Sequence, residues 1–501
     1  MATQTPQTVP GATGAAQRPR LLAALAGREA SIVAIAVLAG VALRAWVLAT
    51  GLGELDADEA VHGLMARHVL EGELSVFFWL QPYGGSQQAV LTAGAFAVFG
   101  PGVIQLKIVA IALHAVTCVL TWLLGRETVG ERAARLGALL LWIWPPFLLW
   151  FTTKAFDYAI GIQSALLLLI LVMRLRRHAS RALALAAGLV LGFGTWAVAQ
   201  AMLLVAAPAL VWLAFTRPRV LRHAWLGAVG FVVGAAPWLA WNARNDWLSL
   251  HLQPESGAQS TVWERVTGLF STILPTWFGF RMPFTLTWPA GPVLGAIVTG
   301  ALVAAVVVAA VGARGRTRVL AIVVAFFPIA YAASAFAYYR DSPRYLVPLA
   351  PVLALLLARL VVTRHGAEPF VLFAAVAATT AGLVTMKHED RFGHTDAGAR
   401  IPHDIAPLLR TLERERATHV LASYWLAYRI GFESEERITA TSTGFVRYVP
   451  YDRAVRSARY PARVFAHGSR RERAARAGLL RGGFRRLESD GFVVYVHPPA
   501  T

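Results

Sequence analysis

Residues Leu55–Gly72 read LDADEAVHGLMARHVLEG. Three carboxylates, Asp56, Asp58 and Glu59, fall within four residues. Ala60 to Leu70 then continues as a short amphipathic helix, with Val61, Leu64, Met65, Val69 and Leu70 on one face. Immediately upstream, Ser31 to Thr50 is an apolar run long enough to cross a bilayer. Acids at the mouth of a membrane helix admit two readings. One is a polar loop that is simply solvated. The other is an active-site carboxylate, facing water on one side and a lipid-borne substrate on the other.

The rest of the chain repeats the apolar run. Of 501 residues, 56% are apolar and only 15% charged, and the mean hydropathy is +0.54. The fold class is therefore an α-helical polytopic membrane protein, with about eleven transmembrane helices. A net charge of +19 would suit nucleic acid, but the 44 Arg and 3 Lys are placed otherwise. Arg126, Arg132 and Arg135, then Arg174, Arg176, Arg177 and Arg181, then Arg217, Arg219 and Arg222 sit between apolar runs. Arg314, Arg316 and Arg318, then Arg359 and Arg364, do the same, as the positive-inside rule requires. With these clusters in the cytoplasm, the acidic loop, the loop Asn242–Pro289 and everything after Met386 lie outside. Gln88–Phe99 is too short to span and is expected as a re-entrant or juxtamembrane helix, because counting it as a span would turn every later Arg cluster outward. Leu183–Phe215 is too long for one span and is expected as two helices, broken near Gly192, Gly194 and Gln200.

The expected domains are a disordered cytoplasmic tail at 1–28, a transmembrane domain at 29–386 and a small extracytoplasmic α/β domain at 387–501. In the last, strands at Thr418–Ser423, Arg437–Thr441 and Arg463–His467, helices at Tyr424–Gly431 and Arg470–Leu480, and a hairpin turning at Asp490-Gly491 are expected. With 20 Lys and Arg against 13 Asp and Glu its charge is +7, suited to an anionic membrane surface or polymer. One cysteine, Cys118, excludes an intrachain disulfide.

The outer side collects the remaining polar groups: His62, Arg67, Gln87, Gln88, Lys107, Lys154, Asp157, Arg340 and Arg344. Carboxylates among several cations suit transfer from an anionic leaving group to a hydroxyl, the carboxylate taking the proton and the cations neutralising the departing phosphate. Each also has a plainer reading. Lys154 and Asp157 suit a helix-end pair, Arg340 and Asp341 a surface ion pair, and His62 an ordinary polar residue.

Together the acidic pair after helix 1, Ala66-Arg67, Glu71-Gly72-Glu73, Pro82-Tyr83-Gly84-Gly85, Phe99-Gly100-Pro101, Thr153-Lys154-Ala155 with Tyr158, and Arg344-Tyr345-Leu346-Val347-Pro348 form an ordered series. This series resembles the polyprenyl-phosphate-sugar-dependent glycosyltransferases of the GT-C superfamily, of the protein O-mannosyltransferase-like and aminoarabinose transferase-like kind. The resemblance implies a polyprenyl-phosphate sugar as donor, an extracytoplasmic hydroxyl acceptor, and a place in the bacterial cytoplasmic membrane. It assigns catalytic roles to Asp58, Glu59 and Asp157, and substrate contacts to Asp56, His62, Arg67, Tyr83, Lys154, Arg340, Arg344 and Tyr345. It leaves a divalent metal open: relatives often carry Glu after the Tyr-Gly-Gly turn, where this chain has Gln87-Gln88. Tyr424-Trp425-Leu426-Ala427-Tyr428 and Phe432-Glu433-Ser434 also look like bacterial members but suggest no chemistry. No nucleic-acid partner is expected. The alternatives are a transporter, which calls for midspan charges and repeated halves, and a membrane-anchored binding protein, in which the first-loop acids would be dispensable.

Overall fold

The computed structural model describes residues 14–156, 158–251, 260–334, 342–390 and 394–498. Asp157 and Arg340, both expected in the site, lie outside the described residues.

Helix α1 (Gly14–Leu48) begins inside the segment expected as a tail. The Ala, Gln, Arg and Leu there are strong helix formers and extend the membrane helix backwards. The acidic stretch forms α2 (Ala57–Leu70), and the short apolar run forms α3 (Gln87–Phe99), as expected. Then come α4 (Val103–Thr128), α5 (Glu131–Ile143), α6 (Pro146–Phe151) and α7 (Tyr158–Arg177). Pro145, with no N–H to continue the ladder, separates α5 from α6. Helices α8 (Arg181–Ala201) and α9 (Ala207–Thr216) follow, then α10 (Ala224–Gly234) and α11 (Ala236–Arg244).

The loop expected over Asn242–Pro289 is not only a loop. It contains α12 (Val262–Gly268) and α13 (Leu274–Phe278), joined through a π-turn at Leu269–Ile273. Leu269, Ile273 and Trp277, spaced four apart, are buried against the bundle, which makes the segment a packed helix. Helices α14 (Pro292–Val311), α15 (Arg318–Ala333), α16 (Ala350–Val361) and α17 (Ala367–Glu389) complete the bundle. A 3-10 turn, Arg344–Leu349, leads into α16.

Among the described residues eight helices are long and apolar enough to cross a membrane, and α10–α11, bent by 66°, make a ninth candidate. The stretch Arg181–Thr216 is one of the eight, yet Val198 leaves helical geometry (φ −149°, ψ 89°) and divides it. A Cβ on Gly161, near the start of α7, would meet Val198 at 2.4 Å, while Arg176 at the end of α7 lies 5.1 Å from the Trp212 ring of α9. The two arms therefore run antiparallel along α7, as the length of the run suggested. Helix α8 also packs parallel to α10 through glycines: a Cβ on Gly188 would lie 2.0 Å from the Gly227 carbonyl oxygen. Such small-residue contacts let membrane helices approach backbone to backbone.

The Arg clusters gather at one end of the bundle. Arg135 pairs with Glu29 at 3.0 Å, Arg132 with Glu368 at 2.5 Å and Arg177 with Glu127, while Arg359 donates to the Ala309 carbonyl at 3.0 Å.

At the opposite end sits the C-terminal α/β domain, whose expected helices and strands are present. Its elements are β1 (Thr395–Asp396), β2 (Ala399–Arg400), α18 (Ala406–Arg414), β3 (His419–Ala422), α19 (Tyr424–Glu433), β4 (Thr439–Ser442), α20 (Val449–Ser457), β5 (Ala462–Ala466), α21 (Arg470–Arg481), β6 (Arg485–Ser489) and β7 (Phe492–Val496). Five strands form a sheet in the order β4-β3-β5-β7-β6, with β3 parallel to β4 and β5, and β7 antiparallel to β5 and β6. Helix α19 seats the domain on α2. Tyr428 and Phe432 join Val61, Leu64 and Phe96 in one apolar cluster, and a Cβ on Gly63 would meet the Phe432 ring at 2.4 Å.

Candidate active site

Asp56 begins α2 as its N-cap. Its side chain accepts from the Glu59 backbone N–H at 2.9 Å, and the Glu59 carboxylate accepts from the Asp56 N–H at 3.2 Å, a reciprocal capping box. This local chemistry aims the three acids in different directions. Glu59 turns inward and is wholly buried. It accepts from Lys107 Nζ at 2.6 Å, from Lys154 Nζ at 3.2 Å and from the Ala155 N–H at 2.7 Å. Asp56 is buried too and meets Lys154 at 3.2 Å. Burial opposes its charge, but Lys154, His394 and the Glu59 N–H outweigh it and hold the carboxyl well below its ordinary range. Burial likewise opposes the Lys154 ammonium, and Asp56 and Glu59 keep it above the usual lysine range.

Asp58 is the exception. Its side chain is 34% exposed, whereas Asp56 and Glu59 beside it are buried. Tyr424 donates to its Oδ1, and Arg447 Nη2 reaches the same oxygen at 3.4 Å. Arg447 Nε also donates to the Tyr424 hydroxyl at 2.8 Å. Burial, then Asp58, pushes the Tyr424 phenol above its ordinary value, so it remains a donor. Both residues come from the C-terminal domain and were not expected here. The Tyr-Trp-Leu-Ala-Tyr string was visible in the sequence, but its distance along the chain from Asp58 hid the contact.

The other expected residues separate into groups. His62 is buried, with Nδ1 3.1 Å from the Asp58 carbonyl oxygen and its ring tilted on Phe78 at 4.7 Å. Lys154 is central. Tyr83 is half exposed on the turn whose Gly84 takes φ 72°. Arg344 and Tyr345 open the 3-10 turn before α16, Arg344 Nε reaching Ser342 at 3.4 Å. Arg67 is spent elsewhere: it donates to Glu436 of the C-terminal domain at 2.9 Å and ties the two domains together. Glu54, not singled out beforehand, does the same with Arg429 at 2.7 Å.

Beside the cluster a small, partly open pocket runs into the bundle. Its walls are apolar (Leu141, Leu148, Ile162, Val347), and Lys154 and Gln88 stand in its lining. Both amide atoms of Gln88 are buried without a hydrogen-bond partner among the described residues. No group of three His, Cys, Asp or Glu converges as a metal would need, again among the described residues.

A profile of the dolichyl-phosphate-mannose-protein mannosyltransferase family matches residues 88–241, a stretch that begins after the acidic loop. No curated protein matches by sequence. The chain superposes on ArnT from Cupriavidus metallidurans bound to undecaprenyl phosphate with a TM-score of 0.64 over 95% of this chain and 98% of that one, at 14% identity. The apo form of that protein gives 0.63. The chain shares the fold of that protein. An Archaeoglobus fulgidus oligosaccharyltransferase, complexed with Zn and sulfate, superposes with a TM-score of 0.50 over 93% of this chain and 73% of that one, at 14% identity. The GT-C resemblance drawn from the sequence thus holds, and so does the fold class of a helical membrane bundle with a small C-terminal sheet domain.

Proposed function

We propose that the protein is an integral membrane glycosyltransferase that moves a sugar from a polyprenyl-phosphate donor to a hydroxyl acceptor on the extracytoplasmic side, with Asp58 as the base. The observation that carries this reading is an amphiphilic site. An apolar pocket bears Lys154 and the unsatisfied Gln88 amide in its lining, and Lys154 joins that lining directly to the cluster at the start of α2. Its shape and chemistry suit the head group and first isoprene units of a lipid phosphate. The undecaprenyl phosphate bound by the ArnT of similar fold supports the donor class. Arg344 lies one turn from pocket-lining Val347 and is read as a phosphate contact.

In the transfer, the acceptor oxygen bonds to the anomeric carbon as its proton passes to Asp58. The bond from that carbon to the phosphate oxygen breaks, and the lipid phosphate leaves with the electron pair. Of the three acids at the start of α2, Asp58 is the one that an acceptor can reach. Asp56 and Glu59 serve as buried supports, and Asp157 is proposed, from the resemblance alone, as the second acid.

Transfer of radiolabelled sugar from a panel of polyprenyl-phosphate sugars tests the assignment. Asp58→Asn is expected to insert normally, bind donor and lose transfer by about a hundred- to ten-thousand-fold. Asp56→Asn retains the cap and is expected to keep measurable transfer. Parental transfer by Asp58→Asn overturns Asp58 as the base.

A further inference from the structure

The carboxylate assigned as base is not held by its own domain. Among the described residues, the two hydrogen-bond contacts to the Asp58 carboxylate fall on one oxygen, Oδ1, and both come from beyond the membrane bundle: the Tyr424 hydroxyl at the start of α19, and the Arg447 guanidinium between β4 and α20. Arg447 is itself fixed. It is buried, its Nε is bonded to Tyr424 at 2.8 Å, and its guanidinium lies 4.4 Å from the Phe445 ring and 4.9 Å from that of Phe78. Its backbone N–H is bonded to the Tyr428 hydroxyl. Tyr424 is pinned in turn by edge-on contacts with Trp425 and Tyr428, at 5.1 and 5.5 Å. A two-donor clamp with this much support fixes the rotation of the carboxylate.

The geometry points to Tyr424 and Arg447 as positioning residues: by holding Asp58 Oδ1 from the C-terminal domain, they present Oδ2 to the acceptor hydroxyl, so that the C-terminal domain completes the active site. This rests on Asp58 as the base. The arrangement follows a general pattern, in which a base is oriented by a further group before it acts. It also gives the C-terminal domain a part in the chemistry beyond its contacts with α2. Two further titratable groups face Asp58 among the described residues: His62, whose ring Nδ1 lies 3.1 Å from the Asp58 carbonyl oxygen, and His394, which is stacked on Trp425 at 3.7 Å and feels the Asp58 charge.

The test compares Tyr424→Phe and Arg447→Lys with Asp58→Asn and with Tyr451→Phe. Tyr451 bonds Glu436 and lies 3.1 Å from His68 across the same domain contact, but does not touch Asp58. Tyr424→Phe is expected to lower kcat by about tenfold to a hundredfold with little change in KM for the donor. Arg447→Lys, which keeps the charge, is expected to fall between Tyr424→Phe and the parent. Tyr451→Phe is expected to leave kcat at the parental value even where it lowers the melting temperature. If Asp58→Asn abolishes transfer while Tyr424→Phe and Arg447→Lys keep the parental kcat, the positioning role is wrong and the base assignment survives. If Asp58→Asn transfers normally, the base assignment fails first and the positioning role with it.

Discussion

At the residue scale, adjacent acids have opposite fates. Asp58 and Glu59 are neighbours in sequence, yet one is open to solvent and the other is sealed beneath Lys107 and Lys154. The capping box explains the split: with Asp56 as N-cap, Glu59 is the third helical residue and must fold back towards the Asp56 N–H. The resemblance gave both residues a catalytic role; from its burial and ion pairs we propose a structural one for Glu59. Removing one partner of a buried ion pair strands the other charge, at a cost of about 3–5 kcal/mol. Glu59→Gln is therefore expected to lower the melting temperature in detergent markedly, along with yield. A parental melting curve with lost transfer would return Glu59 to the chemistry.

At the element scale, the contact between α8 and α10 depends on the absence of side chains. A Cβ on Gly188 would stand 2.0 Å from a backbone oxygen, an atom that cannot step aside as a flexible side chain can. Gly300, on α14, has nothing within 4 Å of that position. Gly188→Ala is expected to destabilise the protein by about 1–3 kcal/mol through overpacking, whereas Gly300→Ala should leave it unchanged or stabilise it by up to about 1 kcal/mol. Thermal unfolding of the two variants side by side checks the contrast; equal melting curves would mean that the helices are not in close contact. Elements with strong local signals, α4, α7 and the hairpin at Asp490-Gly491, were legible in the sequence. Helices α12 and α13 were not, because a short apolar repeat broken by a π-turn resembles an aromatic loop until a groove is there to receive it.

At the scale of the whole molecule, the clustering of arginines at one end and of the acidic loop and the C-terminal domain at the other implies one orientation in the membrane. Cysteines placed at Ser457, exposed on the C-terminal domain, and at His365, exposed at the Arg-rich end, read it directly. The native Cys118 is buried and should give little background. In intact cells an impermeant thiol reagent is expected to label the first and spare the second. The reverse pattern would invert the protein and place Asp58 in the cytoplasm.

The sequence by itself determined the class of fold, the apolar helices, the sidedness implied by their arginine ends, and the strands and helices of the terminal domain, because each is written in local periodicity and charge. It also led to Asp58, through motifs close together in the chain. Only the tertiary structure decided which acid is reachable, that Arg67 and Glu54 bind the two domains to each other, and that Tyr424 and Arg447 hold Asp58. Those contacts join residues more than three hundred positions apart, and no local pattern records a partner at that distance. They exist because the apolar face of α19 packs on α2, and the polar contacts follow from that seat.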